Sequence, residues 1–258
     1  MAFTVLISGA NRGIGKGLLQ RYLIQPNHIV IAANRDPSHP TSQSLNDLPK
    51  GEGSRLIIVK VDASSETDAS KAVEQLQNSY GIDHLDLVIA NAGMSNVWPT
   101  VAALKIADLQ AHMEANAYGV ITLYQATCSL LKKSNKGPKF IPIGSRAGCM
   151  KDQPPVPNSA YGPTKAVVNW LTVRIHAEDD WLITVVVHPG LVDTDLGSTG
   201  IHWLSQESGL EFIKGLNLEK SMISVDKSCD GIVKVVSEFV RDKHGGRLVS
   251  YAGEIIDW

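Results

Sequence analysis

The sequence predicts an α/β fold, a doubly wound parallel sheet of about seven strands with helices on both faces. Three observations lead there. Short β-branched runs alternate with helix-length segments along all 258 residues, a rhythm that builds βαβ units rather than hairpins. Several runs are apolar at nearly every position, as strands covered on both faces must be. A glycine-rich turn stands between the first strand and the first helix, where such sheets bind phosphates.

The first strand is "FTVLIS" (3–8), followed by "SGANRGIG" (8–15) and a helix over 13–25. "HIVIAA" (28–33) and "RLIIVKV" (55–61) are the next strands, and a helix over 66–80 leads to "LDLVIA" (85–90). A long helix is expected over 103–133, then "KFIPIG" (139–144), a helix over 159–179 and the strand "LITVVVH" (182–188). Ser224 suits the N-cap of a helix over 225–242, and "GRLVSY" (246–251) closes the sheet. Two segments read as irregular: the proline-rich "CMKDQPPVPNS" (149–159), and 195–223. Both follow strands, at the carboxyl edge where open α/β sheets take ligands. No repeat, low-complexity tract or linker divides the chain, so 1–258 is expected to be one domain.

Composition excludes several functions. A net charge of −2 with 19% charged residues gives no basic excess for nucleic acid. Cys128, Cys149 and Cys229 are odd in number, widely spaced and without a CxxC, which suits a reducing compartment better than disulfides or zinc. "MAFTVLISGA" lacks a basic leader and a cleavage site, and no run approaches the roughly 20 apolar residues of a membrane span. The expectation is a cytoplasmic protein without membrane contact or metal.

Gly9, Gly13 and Gly15 permit a tight turn and close backbone approach, with Asn11, Arg12 and Ile14 between them. Helix N-terminal N–H groups would then face a pyrophosphate; a turn that binds nothing is the plainer alternative. An NAD site usually carries an acid about 20 residues further on, at the end of the second strand. Here "AANRD" puts Asn34 at that position and Arg35 next, with Arg12 approaching from the turn. Two guanidinium groups suit the 2′-phosphate of NADPH, unless both are merely solvated surface charges. A shift of two residues would make Asp36 the NAD-type acid, although Pro37 indicates that the strand has ended. Further on, "SAYGPTK" places Tyr161 and Lys165 one helical turn apart on one face. A phenol titrates near 10, and a nearby cation favours its ionised form.

With "NAG" (91–93), Asp62 in "KVDAS", Asn116, Ser145 after the fifth strand and "HPGLVDTDL" (188–196) added, the chain resembles the short-chain dehydrogenase/reductases along essentially its whole length. "QPNHIVIAANRDP" and "RLVSYAGEIIDW" bring it nearest to the fungal norsolorinic-acid-ketoreductase-like and C-factor/Sniffer-like carbonyl reductases. The resemblance implies a Rossmann fold holding NADPH/NADP+, with Asp62 at the adenine and Asn91, Ala92 and Gly93 lining the coenzyme. Pro189, Gly190, Val192 and Thr194 would flank the nicotinamide, Thr194 at its carboxamide. Ser145 would orient a ketone, Tyr161 donate the proton, Lys165 touch the ribose, and Asn116 hold a relay water; taken alone, Asn116 reads equally well as a helix-kink residue. Relatives often form homodimers or homotetramers through the helices here placed at 103–133 and 159–179.

Two departures from the family pattern bear on the site. The proline-rich insertion lengthens the Ser145–Tyr161 spacing, and Gly144 stands where the family often has a second serine, with no expected harm. Trp98, Met150, Leu191, His202 and Trp203 lie in loops expected around the nicotinamide, and suit a flat, hydrophobic, polyketide-like carbonyl compound. The competing readings are an NAD-dependent alcohol dehydrogenase working oxidatively and a non-catalytic NADP-binding sensor.

Overall fold

Alternation along the strands decides how the layers form. Val5 and Ile7 of the first strand face one cluster with Leu18, Leu19 and Leu23, completed by Ile232, Val235 and Phe239. Leu6 and Ile31 face the opposite cluster with Val73, Leu76, Leu123, Leu130, Val168 and Ile175. Each face therefore needs its own helices, giving three layers around one sheet. The computed structural model describes residues 2–151, 153, 156–206 and 221–258.

Strands β1 (Phe3–Ser8), β2 (His28–Asn34), β3 (Arg55–Lys60), β4 (Leu87–Ala90), β5 (Lys139–Pro142) and β6 (Ile183–Thr184) form a parallel sheet in the order β3-β2-β1-β4-β5-β6. β7 (Val186–His188), β8 (Leu248–Ser250) and β9 (Ile255–Ile256) form a second sheet. The expected strand 182–188 is thus interrupted at Val185, and a bridge between Ile143 and Val187 ties its second half to the end of β5. The antiparallel β9 was not expected; a turn with Gly253 at φ +93° folds it back onto β8.

Register sets the site. Ser8 pairs with Ala33, Asn34 with Lys60, and Ala90 with Pro142, so the strands end together at one edge. The order reverses between β1 and β4, which leaves a crevice between the loops after them, the usual ligand position.

Two helical expectations change. The helix of 103–133 is a helix Ile106–Met113, a π-helical turn Glu114–Tyr118 and a helix Gly119–Leu131. The segment 195–223, expected to be irregular, begins with a helix Asp195–Gln206; 207–220 lies outside the described residues. Helices Gly13–Leu23, Asp68–Tyr80, Gly162–Glu178 and Val225–Glu238 fall where expected to within a few residues, and Ser224 caps the last through Lys227 N–H. No helix among the described residues is long and apolar enough to cross a membrane.

At the opposite edge of the sheet, Asp86 is 2% exposed. Its carboxylate accepts the Thr4 N–H at 2.9 Å and the Ser134 hydroxyl at 2.6 Å, with Lys136 Nζ 3.6 Å away. It clips the start of β1 to the start of β4. Asp86→Ala should therefore lower stability by about 2–3 kcal/mol, read as a lower urea midpoint at unchanged slope. Asp86→Asn, which keeps an acceptor for Thr4, should lose clearly less; an unchanged midpoint for the alanine variant would show that the clip carries no stability.

Candidate active site

The turn after β1 is built by contact. Gly9 has φ +64°, and a Cβ on Gly15 would lie 2.1 Å from Gly9 O. Asn91, after β4, donates its side-chain amide to Ser8 O and Gly9 O at 2.9 and 3.1 Å, while the Asn91 and Ala92 N–H groups both reach Ser8 Oγ at 3.0 Å. The two loops of the crevice are thereby locked together. Helix Gly13–Leu23 starts with no side chain capping it, so its first N–H groups are available to an anion. Close backbone approach, a stripped helix N-terminus and Arg35 exposed beside it fit the pyrophosphate and adenosine half of a nicotinamide coenzyme.

Asn34 does not face that half, as had been expected. It is 1% exposed; its Oδ1 accepts the Ala10 N–H at 2.9 Å and its Nδ2 donates to Ser42 Oγ at 3.2 Å. Asn34 is a buried strut beneath the glycine turn. β2 ends there, so Asp36 lies in the following turn, where the Ser38 hydroxyl and N–H engage its carboxylate at 2.6 and 2.8 Å and hold it below the usual carboxylate range. Asn11 donates to Thr41 Oγ1 at 2.7 Å. Arg12 is largely exposed and pairs with Asp195 at 3.2 Å. Ile14 is partly buried against the core. Asp62, just beyond β3, is partly buried and accepts the Ser64 N–H at 2.9 Å.

At the other end of the crevice, Asn116 is fully buried in the π-helical turn. Its Oδ1 accepts the Met94 N–H at 2.7 Å, and its Nδ2 donates to Met94 O at 2.9 Å and Thr164 Oγ1 at 3.1 Å. The side chain thus joins the helical kink to the "NAG" loop and to the helix bearing Lys165. A Cβ on Gly93 would meet Asn116 Oδ1 at 3.0 Å.

Lys165 is 5% exposed, donates to Ile143 O at 2.8 Å, and lies 5.5 Å from the Tyr161 ring centroid. Burial pushes its pKa down to about 8. Burial pushes the Tyr161 phenol up to about 12, with a hydrogen bond from Ser145 opposing. The expected lowering of the phenol is outweighed by burial here. Ser145 and Tyr161 meet despite the insertion. Its far end is held by Ser159 N–H on Pro99 O at 3.2 Å, and Tyr161 N–H on Asn158 O at 3.0 Å. Gly144 is more constrained than expected: a Cβ there would lie 2.2 Å from Val186 Cγ1, so a serine would require displacement.

The last wall comes from the segment after β7. Gly190 has φ +88°, Pro189 O accepts the Ser228 hydroxyl at 2.7 Å, and Val192 bridges to Ile223. Leu191 O accepts the Ile223 N–H at 2.8 Å. Thr194 Oγ1 accepts the Gly197 N–H at 3.2 Å, and its methyl would lie 3.3 Å from a Cβ on Gly13. Of the residues expected to meet substrate, Trp98 is 7% exposed and stacks obliquely on Trp203 at 5.8 Å, while Met150 is 78% exposed. The His202 side chain lies outside the described structure.

Several residues were not singled out from sequence. Ser8 and Thr164 had no signal beyond position. His188 was legible as part of "HPG"; its buried Nδ1 has no hydrogen-bond partner among the described residues, and burial reinforced by Arg146 pushes its pKa down to about 4. Asp195 and Gly200 emerge only from how their helix docks.

Known proteins share this fold. The short chain dehydrogenase family matches residues 3–204. The norsolorinic acid ketoreductase of Dothistroma septosporum is 35% identical over 99% of this chain and 92% of its own length. That of Aspergillus parasiticus is 34% identical over 98% and 90%. The crystal structure of NADPH-bound carbonyl reductase from chicken fatty liver superposes with a TM-score of 0.83 at 28% identity, covering 100% of this chain and 99% of that one.

The lysine yields a test that needs no substrate. At pH 7 both folded and unfolded chains carry the charge, so the folded state bears its full desolvation. As pH rises past about 8 the folded lysine sheds its proton, while the unfolded one keeps it until near 10.4. Any stability advantage of Lys165→Met over the native protein should therefore shrink between pH 7 and pH 9.5, measured by urea unfolding. An advantage that is constant with pH would show that Lys165 is not a strained buried cation.

Proposed function

Because the chain belongs to the short-chain dehydrogenase family, we propose that it is an NADPH-dependent ketoreductase acting on a flat, hydrophobic, polyketide-like ketone. The observation that carries this reading is the meeting of Ser145, Tyr161 and Lys165 at the carboxyl edge of the sheet, beside a glycine turn with an uncapped helix. The naming of the relatives as norsolorinic acid ketoreductases supports the substrate class, and the NADPH-bound structural neighbour supports the coenzyme.

On this reading Gly9, Asn11, Arg12, Gly13, Ile14 and Gly15 hold the pyrophosphate, Arg35 with Arg12 the 2′-phosphate, and Asp62 with Asn91, Ala92 and Gly93 the adenosine side. Pro189, Gly190, Val192 and Thr194 form the nicotinamide wall. When bound, the nicotinamide supplies a hydride to the carbonyl carbon. The Ser145 hydroxyl donates to the carbonyl oxygen and fixes its direction. Tyr161 gives its proton to that oxygen as it gains charge, and Lys165 steadies the phenolate left behind. Magnitudes favour a protonated tyrosine at rest. Bringing a phenol from about 12 to neutrality takes about 7 kcal/mol. Lys165 Nζ, 5.5 Å from the ring centroid, is already in place when the phenol stands at about 12. A tyrosine that keeps its proton suits reduction.

The reading also takes 1–258 as one coenzyme-binding unit in the cytoplasm. It self-associates through the faces of helices Gly119–Leu131 and Gly162–Glu178, near which Tyr118, Trp170 and Val173 are exposed.

Side-by-side titration with NADPH and NADH, followed by tryptophan quenching, should show NADPH bound at least tenfold tighter, about 1.4 kcal/mol. Arg35→Ala should remove most of that difference. Equal binding, or tighter NADH, would hand the ribose to Asp36 and bring an oxidative dehydrogenase forward. Tyr161→Phe should bind NADPH as the native protein does and lose on the order of 10²–10⁴-fold in turnover; undiminished turnover would remove Tyr161 as proton donor.

A further inference from the structure

Among the described residues, helix Asp195–Gln206 meets the glycine turn and the loop after β4, besides a local contact of Gly197 with Val192 and Met222. At its start, Arg12 of the glycine turn pairs with Asp195 at 3.2 Å, but the two side chains are 70% and 80% exposed. Such a pair contributes little to fixing a helix. At its middle, Gly200 is buried against Trp98: a Cβ on Gly200 would lie 3.1 Å from Cζ2, 3.2 Å from Cε2 and 3.3 Å from Nε1 of the indole. Trp203, one turn further along, meets the same indole at 5.8 Å between ring centroids. A nearly buried indole is a large apolar contact, so the second hold is the stronger.

Trp98 is itself anchored to the catalytic parts on both sides. Four residues before it, Met94 has its N–H and its carbonyl both taken by Asn116. The residue after it, Pro99, accepts the Ser159 N–H two residues before Tyr161. The indole is therefore a rigid post standing between the Asn116 turn and the Tyr161 turn, and the helix rests on it through the notch that Gly200 leaves.

We propose that Trp98 is a positioning residue whose indole, seated in the notch at Gly200, fixes helix Asp195–Gln206 over the coenzyme and sets the width of the substrate cleft. Trp98 acts through the helix rather than by touching the ketone, which separates it from the substrate-contact role expected from sequence. A methyl at position 200 would press helix and indole apart by a few tenths of an ångström. The inference rests on the ketoreductase reading for the ketone, but its primary readout is coenzyme release.

The test is a double-mutant cycle on the full chain, with NADPH affinity measured by calorimetry and NADPH release by stopped-flow displacement. Trp98→Leu should speed release roughly tenfold. Gly200→Ala should speed it in the native background and have no further effect in the Trp98→Leu background, where room for the methyl already exists. Additive effects, or no effect of either substitution, would overturn the proposal. Trp98→Phe keeps an aromatic post while vacating the contact at Nε1, so the cycle remains informative if leucine prevents folding. With a ketone that turns over, KM should rise while kcat and the pH profile stay native; altered pH dependence would instead mark Trp98 as part of the proton path and overturn a positioning role. Absence of any ketone turnover would sink the ketoreductase reading and leave the release measurement to decide this one. Should NADH prove the tighter ligand, the same cycle is run with NADH.

Discussion

The structure turns on how closely the loops after β1 and β4 approach each other. Gly15 has no room for a Cβ beside Gly9 O, and Asn91 fills the remaining gap with an amide that bonds two carbonyls of the glycine turn. Ser8 completes the lock by accepting two N–H groups from the opposite loop. Backbone groups that would otherwise be left unpaired at a sheet edge are thereby satisfied. As a consequence, with carbonyls bound inward, helix N–H groups are left facing the crevice, at the proposed coenzyme site. The same lock fixes "NAG", through it Met94 and Asn116, and through Thr164 the start of the helix carrying Lys165.

Against that rigid frame stands a site that opposes stability. Lys165 is buried and charged at neutral pH, with one carbonyl as its described hydrogen-bond partner. A lysine in that position loses solvation that a single neutral acceptor does not replace. The tyrosine is pushed the opposite way by the same apolar surroundings. Both perturbations come from desolvation, and both concentrate charge sensitivity at the place where a carbonyl oxygen would gain charge. Perturbed groups clustered in a crevice are a mark of function rather than of packing.

The sheet, its order of elements and the residues proposed as catalytic could be picked out because they rest on local patterns: β-branched runs, a glycine turn and a tyrosine–lysine spacing. What was hidden depends on three-dimensional neighbours. The π-helical turn at Glu114–Tyr118 carries no sequence period distinct from an ordinary helix. The break at Val185 and the short β9 depend on pairing with remote strands. Helix Asp195–Gln206 was masked by glycines and by a serine–threonine pair that favour turns locally, and tertiary contact with Trp98 overrides them. The need for glycine at 144, rather than the serine that the family often has, was hidden because the crowding by Val186 comes from a strand more than 40 residues away.

Asn34 shows why the end of β2 cannot be read for coenzyme selectivity by residue type alone. Its amide serves as an acceptor to Ala10 and a donor to Ser42 within a site that is 1% exposed. An aspartate there would accept from Ala10 but could not donate to Ser42 while ionised, and would bury a charge without a cation among the partners seen for Asn34. The position is closed to the acid that an NAD site uses, whichever coenzyme is bound. Selectivity must then come from groups at the surface of the turn, and there the balance is uneven. Arg35 is exposed without a carboxylate on it among the described residues, whereas Asp36 gives one of its two carboxylate oxygens, Oδ1, to the Ser38 N–H and hydroxyl. An incoming 2′-phosphate would meet an exposed guanidinium, and an incoming ribose hydroxyl a carboxylate with one oxygen engaged. That exposed guanidinium is the physical basis of the proposed preference for NADPH, and it stands where it does because the strand ends in a buried amide one residue before it.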